Sequence, residues 1–256
     1  MTACPPPPPL VRTTHDRRTL EFSPGEVQSE MCLAAPDALV LAYTRAMMCF
    51  TLFVPHPRHI VMVGLGGGSL LKFCHRHFPG ARITVIELRA DVIALRAQFA
   101  IPPDDARLSV LQGDAALLLP ALAERADVIM VDGFGREGMP AQLASARFYG
   151  HCRRQLHEGG ILVANILSYD PRRTAAMARL GLIFNDHVCR LTGVAGNNHV
   201  VFAVKAASGA AGELLPAVRR ARRLARRRGP VAGWRNRLLV AWQMWRLGRL
   251  RLKRNS

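Results

Sequence analysis

The sequence has no run of about 18 uncharged apolar residues, so no stretch reads as a membrane-spanning helix. It has no C-x-x-C either. Its six cysteines, at 4, 32, 49, 74, 152 and 189, are scattered, a pattern expected of free thiols in a reducing cytoplasm. No secretory signal is legible in the first thirty residues, because Pro5 to Pro9 stand where an apolar core is required. G-x-S-x-G, H-E-x-x-H and Walker patterns are missing, which argues against hydrolase, zincin and P-loop chemistry. Acidic residues are scarce at one end only. From Glu213 to Ser256 there are 14 Arg/Lys and one acid, a net of +13. The first 212 residues hold 21 basic and 17 acidic side chains, a net of +4. A nearly neutral body carries a strongly basic tail.

What is present is enough for a packed core. Half of the 256 residues are hydrophobic and 21% are charged, which excludes a disordered or collagen-like chain. That length allows one α/β domain with appendages, or two small domains. Residues 1–18 read as a Pro-rich, mobile leader. Thr19–Phe22 and Glu26–Leu33 flank Ser23-Pro24-Gly25, which predicts a β-hairpin. Asp37 reads as the N-cap of a helix over 38–53, ended by Pro55 and Pro57. Residues 19–54 thus make a small N-terminal hairpin-and-helix unit.

From Ile60 the pattern becomes rhythmic. Apolar β-type runs at 60–63, 83–86, 108–111, 128–131 and 161–166 are separated by helix-like stretches at 69–78, 90–99, 115–123 and 141–156. Strands without polar alternation are covered on both faces, as in a parallel sheet with helical crossovers. After a helical segment at 171–180, the segments 182–191 and 199–205 are joined by Gly196-Asn197-Asn198, a hairpin turn. The fold class expected is α/β: a Rossmann-like, class I methyltransferase-type sheet over 55–206, with parallel strands and an antiparallel terminal hairpin.

Ligands of such sheets bind outside the carboxyl ends of the strands. The first strand exits into Gly64-Leu65-Gly66-Gly67-Gly68-Ser69, directly before a helix. Glycines let a ligand approach the backbone closely, and the helix start offers unpaired N–H groups. The same pattern fits a dinucleotide site or a tight turn. The second strand ends in Glu87, placed to accept hydrogen bonds from both hydroxyls of a ribose. The third ends in Gly113-Asp114, where the acid reads either as an acceptor for an adenine amino group or as the cap of the next helix. The fourth ends in Asp132-Gly133 and the fifth in Asn165.

Together these motifs resemble the spermidine synthase (polyamine aminopropyltransferase) family, from Tyr43 to Asn165. The glycine loop corresponds to that family's GGGDGG, Ile86-Glu87-Leu88 to its E-I-D, and Gly113-Asp114 to its G-D. Val131-Asp132 matches the start of D-x-x-D-P, and Arg147-Phe148-Tyr149 falls at its phenylalanine-tyrosine pair. Gln28 and Ser29 fit its small N-terminal β-domain. The resemblance implies aminopropyl transfer from decarboxylated S-adenosylmethionine to an amine, with release of methylthioadenosine. It implies Gln28, Gly64, Gly66, Gly67, Gly68, Glu87, Gly113 and Asp114 around the donor and Asp132 as the base. Tyr43, Glu137 and Asn165 are expected on the acceptor side, and the family suggests a homodimer.

The departures fall on the amine side. The family's loop aspartate, facing the donor's ammonium, corresponds to Gly67, so ordinary S-adenosylmethionine is not excluded electrostatically. Its second aspartate corresponds to Gly135, with Glu137 in the same loop as a substitute. Thr44 and Arg45 replace a histidine and an acid after Tyr43, and a cation facing the pocket there opposes a cationic acceptor. Alternatives are a methyltransferase in the same pocket and an idle nucleoside-binding homologue acting through its tail. Cys74-His75-Arg76-His77 lacks a second ligand pair and reads as ordinary helix positions rather than a metal site. His56, His59, His151 and His157 fall near element ends.

The tail, 207–256, carries an arginine run at 219–228 and a Gly-Pro break at 229–230. Trp234, Leu238, Trp242 and Trp245 then recur near helical spacing among Arg235, Arg237, Arg246, Arg249 and Arg251. A basic amphipathic helix with aromatic residues is expected at an anionic membrane surface, here the inner one; nucleic acid is the competing partner. Packing on the body or on a second subunit is the third reading. The localisation expected is cytoplasmic, with a peripheral tail.

Overall fold

The computed structural model describes residues 7–133, 138–206 and 230–252. Strands β1 (Leu10–Thr14), β2 (Arg17–Glu21) and β3 (Val27–Cys32) form an antiparallel sheet in that order. Of the mobile leader expected over 1–18, residues 10–18 are ordered in β1, its turn and the start of β2, and residues 1–6 lie outside the described residues. Val11, Thr13 and Thr14 are β-branched, and His15-Asp16, with His15 at φ +49°, closes a two-residue turn into β2. The helix expected over 38–53 is also shorter. It comprises α1 (Ala42–Met47) and a 3₁₀ turn at Met48–Leu52. Asp37 does not cap it; its Oδ1 lies 2.6 Å from Arg76 Nη1. The Leu39 and Val40 carbonyls, which a longer helix would use internally, accept from the Arg45 guanidinium at 2.7 and 2.5 Å.

The main sheet follows, in chain order β4 (His59–Val63), α2 (Ser69–His77), β5 (Arg82–Glu87), α3 (Ala90–Ala94), β6 (Leu108–Gln112), α4 (Ala115–Ala121), β7 (Ala126–Val131), α5 (Ala146–Gln155) and β8 (Leu156–Leu167). It closes with α6 (Arg173–Ile183), β9 (Val188–Ala195) and β10 (Asn198–Val204), and the last described helix is α7 (Pro230–Leu252). The strand order is β6-β5-β4-β7-β8-β10-β9. β4 to β8 pair in parallel, whereas β10 runs antiparallel to both β8 and β9. This is a mixed α/β fold whose central sheet resembles the Rossmann-like, methyltransferase-type arrangement. Several boundaries differ from expectation: α5 starts at Ala146 rather than 141, and β8 at Leu156 rather than 161. β9 starts at Val188 rather than 182, because α6 runs on to Ile183 and Asn185 and Asp186 then turn through left-handed backbone. α3 stops at Ala94 rather than 99, ahead of Ile101-Pro102, a pair that disfavours helix.

Why β4 lies at the centre is legible in its side chains. All five of its residues are buried. Ile60 and Met62 enter the core on one face, and Val61 and Val63 enter that on the other, following the period of two. The chain order reverses across β4, between β5 and β7, so the switch point lies beyond Val63.

Buried Lys72 on α2 ties this sheet to the N-terminal one. Its Nζ donates to Phe99 O (2.6 Å) and reaches Met31 Sδ on β3 (3.1 Å). Burial lowers its ammonium from 10.5 to about 8. The folded state therefore releases the proton before the unfolded chain does, and stability rises with pH between those two values. Relative to Lys72→Met, the wild-type unfolding free energy should gain about 2 kcal/mol from pH ~8 to pH ~10. Urea titrations of both proteins check this. The difference isolates the lysine, because the buried cysteines titrate in both.

Candidate active site

The turn after β4 is built by Gly64, Gly66 and Gly68, with φ of +96°, +51° and +66°. Gly64 N donates to Ile86 O (2.9 Å) and Gly68 N to Leu65 O (2.9 Å), which holds the turn against β5 and starts α2. Its two halves face different surroundings. A Cβ at Gly67 would lie 2.7 Å from Ser29 Oγ and 2.8 Å from the Phe99 ring, and one at Gly68 would lie 2.5 Å from Ile101. At Gly66 the nearest atom is 3.7 Å away. Gly67 and Gly68, expected against a ligand, are buried under the protein's own side chains, and half-buried Gly66 is the open glycine of the turn. The closure comes from Ala100, whose φ of +51° turns Phe99 and Ile101 back over the loop.

Glu87 is buried at the end of β5. Its Oε2 accepts from Leu65 N (2.7 Å) and its Oε1 from Arg89 N (2.9 Å). The carboxylate is thereby fixed beside the glycine turn, and each oxygen keeps a second lone pair. Leu88, next to it, is 65% exposed, an apolar surface at the strand end. Gly113 N donates to Glu87 O (2.9 Å), which brings the end of β6 alongside. Asp114 takes the capping role: its Oδ1 accepts from Ala116 N (2.8 Å) at the start of α4. Gln28 is not brought to the turn. Its Nε2 reaches Glu26 O (3.4 Å), while Ser29, on the opposite face of β3, sits 3.4 Å from Ser69 Oγ.

Asp132 follows β7, and its N–H donates to Val63 O (2.9 Å), which holds it against the glycine turn. Two residues far from it in sequence converge on its carboxylate. Tyr43 on α1 donates to Oδ2 (3.1 Å), and Asn165 Nδ2 on β8 donates to Oδ1 (3.0 Å). Burial raises the Asp132 carboxyl above its ordinary value, and the bonds from Asn165 and Tyr43 oppose the rise. Burial, with the neighbouring carboxylate, pushes the Tyr43 phenol well up, so that it stays a donor. Asn165 is almost fully buried, and its Oδ1 has no hydrogen-bond partner among the described residues. Asp132 and Asn165 therefore stand side by side, with the Asn165 Oδ1 enclosed and unpartnered among the described residues, while the Arg45 guanidinium is held by the Leu39 and Val40 carbonyls. Glu137 and Gly135 lie outside the described residues.

The comparisons bear on this constellation. Residues 40–169 match the spermine/spermidine synthase domain. The polyamine aminopropyltransferase of Neisseria meningitidis serogroup A is 35% identical over 188 residues, 73% of this chain and 72% of that protein. The chain belongs to the spermine/spermidine synthase family. A probable spermidine synthase from Corynebacterium glutamicum superposes with a TM-score of 0.67 at 22% identity, over 83% of this chain and 82% of that one. Human methyltransferase-like protein 13, in complex with SAH, superposes with a TM-score of 0.55 at 24% identity, over 73% and 92%. At those identities the two structures speak for the fold alone.

Within this family member, several residues near the site had no signal in the sequence reading. Phe99 and Ile101 look like the end of a helix. Buried Asp170 accepts from Met139 N (2.9 Å) and Arg172 N (2.7 Å), which ties the chain at Met139 to the segment before α6. Phe148 and Tyr149, the aromatic pair of the resemblance, are core residues of α5, and the Tyr149 hydroxyl meets Met139 Sδ (3.8 Å). Cys74 is buried in the core, and His75 pairs with Asp105 at 3.0 Å, so their tetrapeptide is split between helix faces. No group of three or more His, Cys, Asp or Glu placed to hold a metal stands among the described residues.

Proposed function

We propose that the protein transfers an aminopropyl group from decarboxylated S-adenosylmethionine to an amine acceptor. The observation that carries this reading is the pair of acceptors, Asp132 and the unpartnered Asn165 Oδ1, beside the glycine turn. A buried acceptor without a partner is costly, and an ammonium or amine N–H satisfies it. Glu87 holds ribose hydroxyls through its remaining lone pairs, and Leu88 offers an apolar face to the base. The acceptor nitrogen, once neutral, attacks the methylene carbon bonded to the sulfonium. The N–C bond forms as the C–S bond breaks, its electron pair returns to sulfur, and methylthioadenosine leaves. The proton from nitrogen passes to Asp132. The sulfonium is already an activated leaving group, so the protein contributes orientation and deprotonation.

One observation favours a second reading, methyl transfer from ordinary S-adenosylmethionine. Position 67 has no acid to meet a donor ammonium, and no room for one between Ser29 and Phe99. The nucleoside released separates the readings. Incubated with each donor and a panel of amines, the protein is expected to yield methylthioadenosine. S-adenosylhomocysteine would assign methyl transfer, and neither product, with no calorimetric binding of either donor or of methylthioadenosine, would sink both.

A further inference from the structure

We propose that α7 docks the protein on an anionic lipid surface through an outward apolar face. The helix starts at Pro230 and packs against β9, the 3₁₀ turn after α1, and α1 itself. Its inward face is Asn236, Val240, Gln243 and Leu247, all buried. Gln243 Nε2 donates to Thr51 Oγ1, and Arg237 Nε donates to Gly193 O (2.9 Å). The tail helix is therefore packed on the body through this face, which leaves its other face to be accounted for. Its outward face inverts the usual pattern of a surface helix. Leu238, Trp242 and Trp245 are 50%, 47% and 56% exposed, with exposed Ala241 and Gly248 between and after them. Two amide side chains point inward while two indoles point to solvent.

Charge identifies the occupant. The tail from 213 to 256 carries a net of +13, and the Arg246 guanidinium lies over the Trp242 ring at 5.4 Å. Arg246 also reaches Thr51 O on the body (3.5 Å), so it stands at the edge of the outward face, and tryptophans flanked by a basic edge suit the interface between lipid headgroups and acyl chains. Among the described residues no helix is long and apolar enough to cross a membrane, so α7 lies on the surface rather than through it. A second copy of this chain is disfavoured, because it would bring two strongly positive tails together over only three large apolar side chains. Duplex nucleic acid would engage the arginines but leave the outward apolar face in water. In the sheet β9 is separated from β4 by β7, β8 and β10, so the strand that α7 covers is the edge strand, away from the switch point beyond Val63.

All three tryptophans of the chain lie at 234, 242 and 245, so intrinsic fluorescence reads the tail directly. The full chain should float with vesicles of about 30% phosphatidylglycerol and be released by about 0.5 M salt. Its emission should shift to the blue on binding. Trp242→Asn with Trp245→Asn should weaken partitioning at least about tenfold, with the melting temperature and aminopropyl transfer to soluble amines unchanged. A chain that stays in the soluble fraction, or floats equally with neutral vesicles, overturns the proposal. So does a complex with a duplex of about 30 bp that competes with vesicles and ignores the double substitution, which would assign the tail to nucleic acid.

Discussion

Asp132→Asn is expected to slow group transfer by about 10²–10⁴-fold while leaving methylthioadenosine affinity within about threefold. The substitution keeps the shape of the site. The carbonyl oxygen of the new amide can still accept from Asn165, and its NH₂ can donate to Tyr43, whose hydroxyl rotates to accept. What is lost is a group able to take the proton from the attacking nitrogen. The pH profile carries the same signature. Burial raises the Asp132 carboxyl, so the acid limb of kcat/KM in the wild type lies above the usual carboxylate range. That limb should vanish in the variant. Stability should move the other way. A raised carboxyl contributes stability below its unfolded value that is lost as pH rises through the folded one, so at neutral pH the charge is a burden. The variant should melt at the same temperature or higher, as expected where a site is tuned for chemistry at the expense of stability. An unchanged turnover would remove Asp132 from the mechanism.

The strands and their exits were legible for one physical reason. A strand covered on both faces needs an unbroken apolar run, and the residues that end it break the run, so Gly64, Glu87, Asp114 and Asp132 announce themselves by contrast. The contacts that turn those exits into a site were not legible, because they join distant segments. Tyr43 and Asp132 are 89 residues apart, and Asn165 is 33 residues beyond Asp132. Both were expected on the acceptor side; the structure joins both to the carboxylate, where they orient it, and the Asn165 Oδ1 stays without a partner among the described residues. Alternation along β3 explains Gln28. Neighbouring strand residues face opposite ways, so only one of Gln28 and Ser29 can reach the turn, and local sequence does not say which.

The remaining differences are cases where tertiary contacts override a local pattern. Arg45 reads as a cation beside the pocket, but carbonyls within its reach satisfy it without any substrate. Asp37 has the chemistry of a cap, yet Arg76 on α2 claims it. The tryptophan spacing announced a helix with an apolar face. Its inward side was hidden from that reading because Asn236 and Gln243, polar by composition, are what the body buries.

Gly64→Ala should be the most damaging single methyl added to the turn. A Cβ there would stand 2.5 Å from the Asp132 carbonyl oxygen and 3.2 Å from Gly133 Cα, both backbone atoms that no rotamer change can move. Its φ of +96° adds strain that an L side chain does not tolerate well. The expected loss is about 3 kcal/mol or more of folding stability, read from urea unfolding. The clash also pushes on the residue that carries the base. A displacement of about 1 Å costs on the order of 10²-fold in rate, so turnover should fall in the fraction that remains folded. Gly66→Ala is the internal comparison. Its φ of +51° lies nearer the ordinary left-handed region, and its nearest neighbour is Ser29 Cβ at 3.7 Å. A cost of about 1 kcal/mol is expected there, with the base undisturbed. Equal losses at the two positions would mean that backbone conformation alone sets the requirement for glycine, and that the contact between the turn and Asp132 does not couple fold to chemistry.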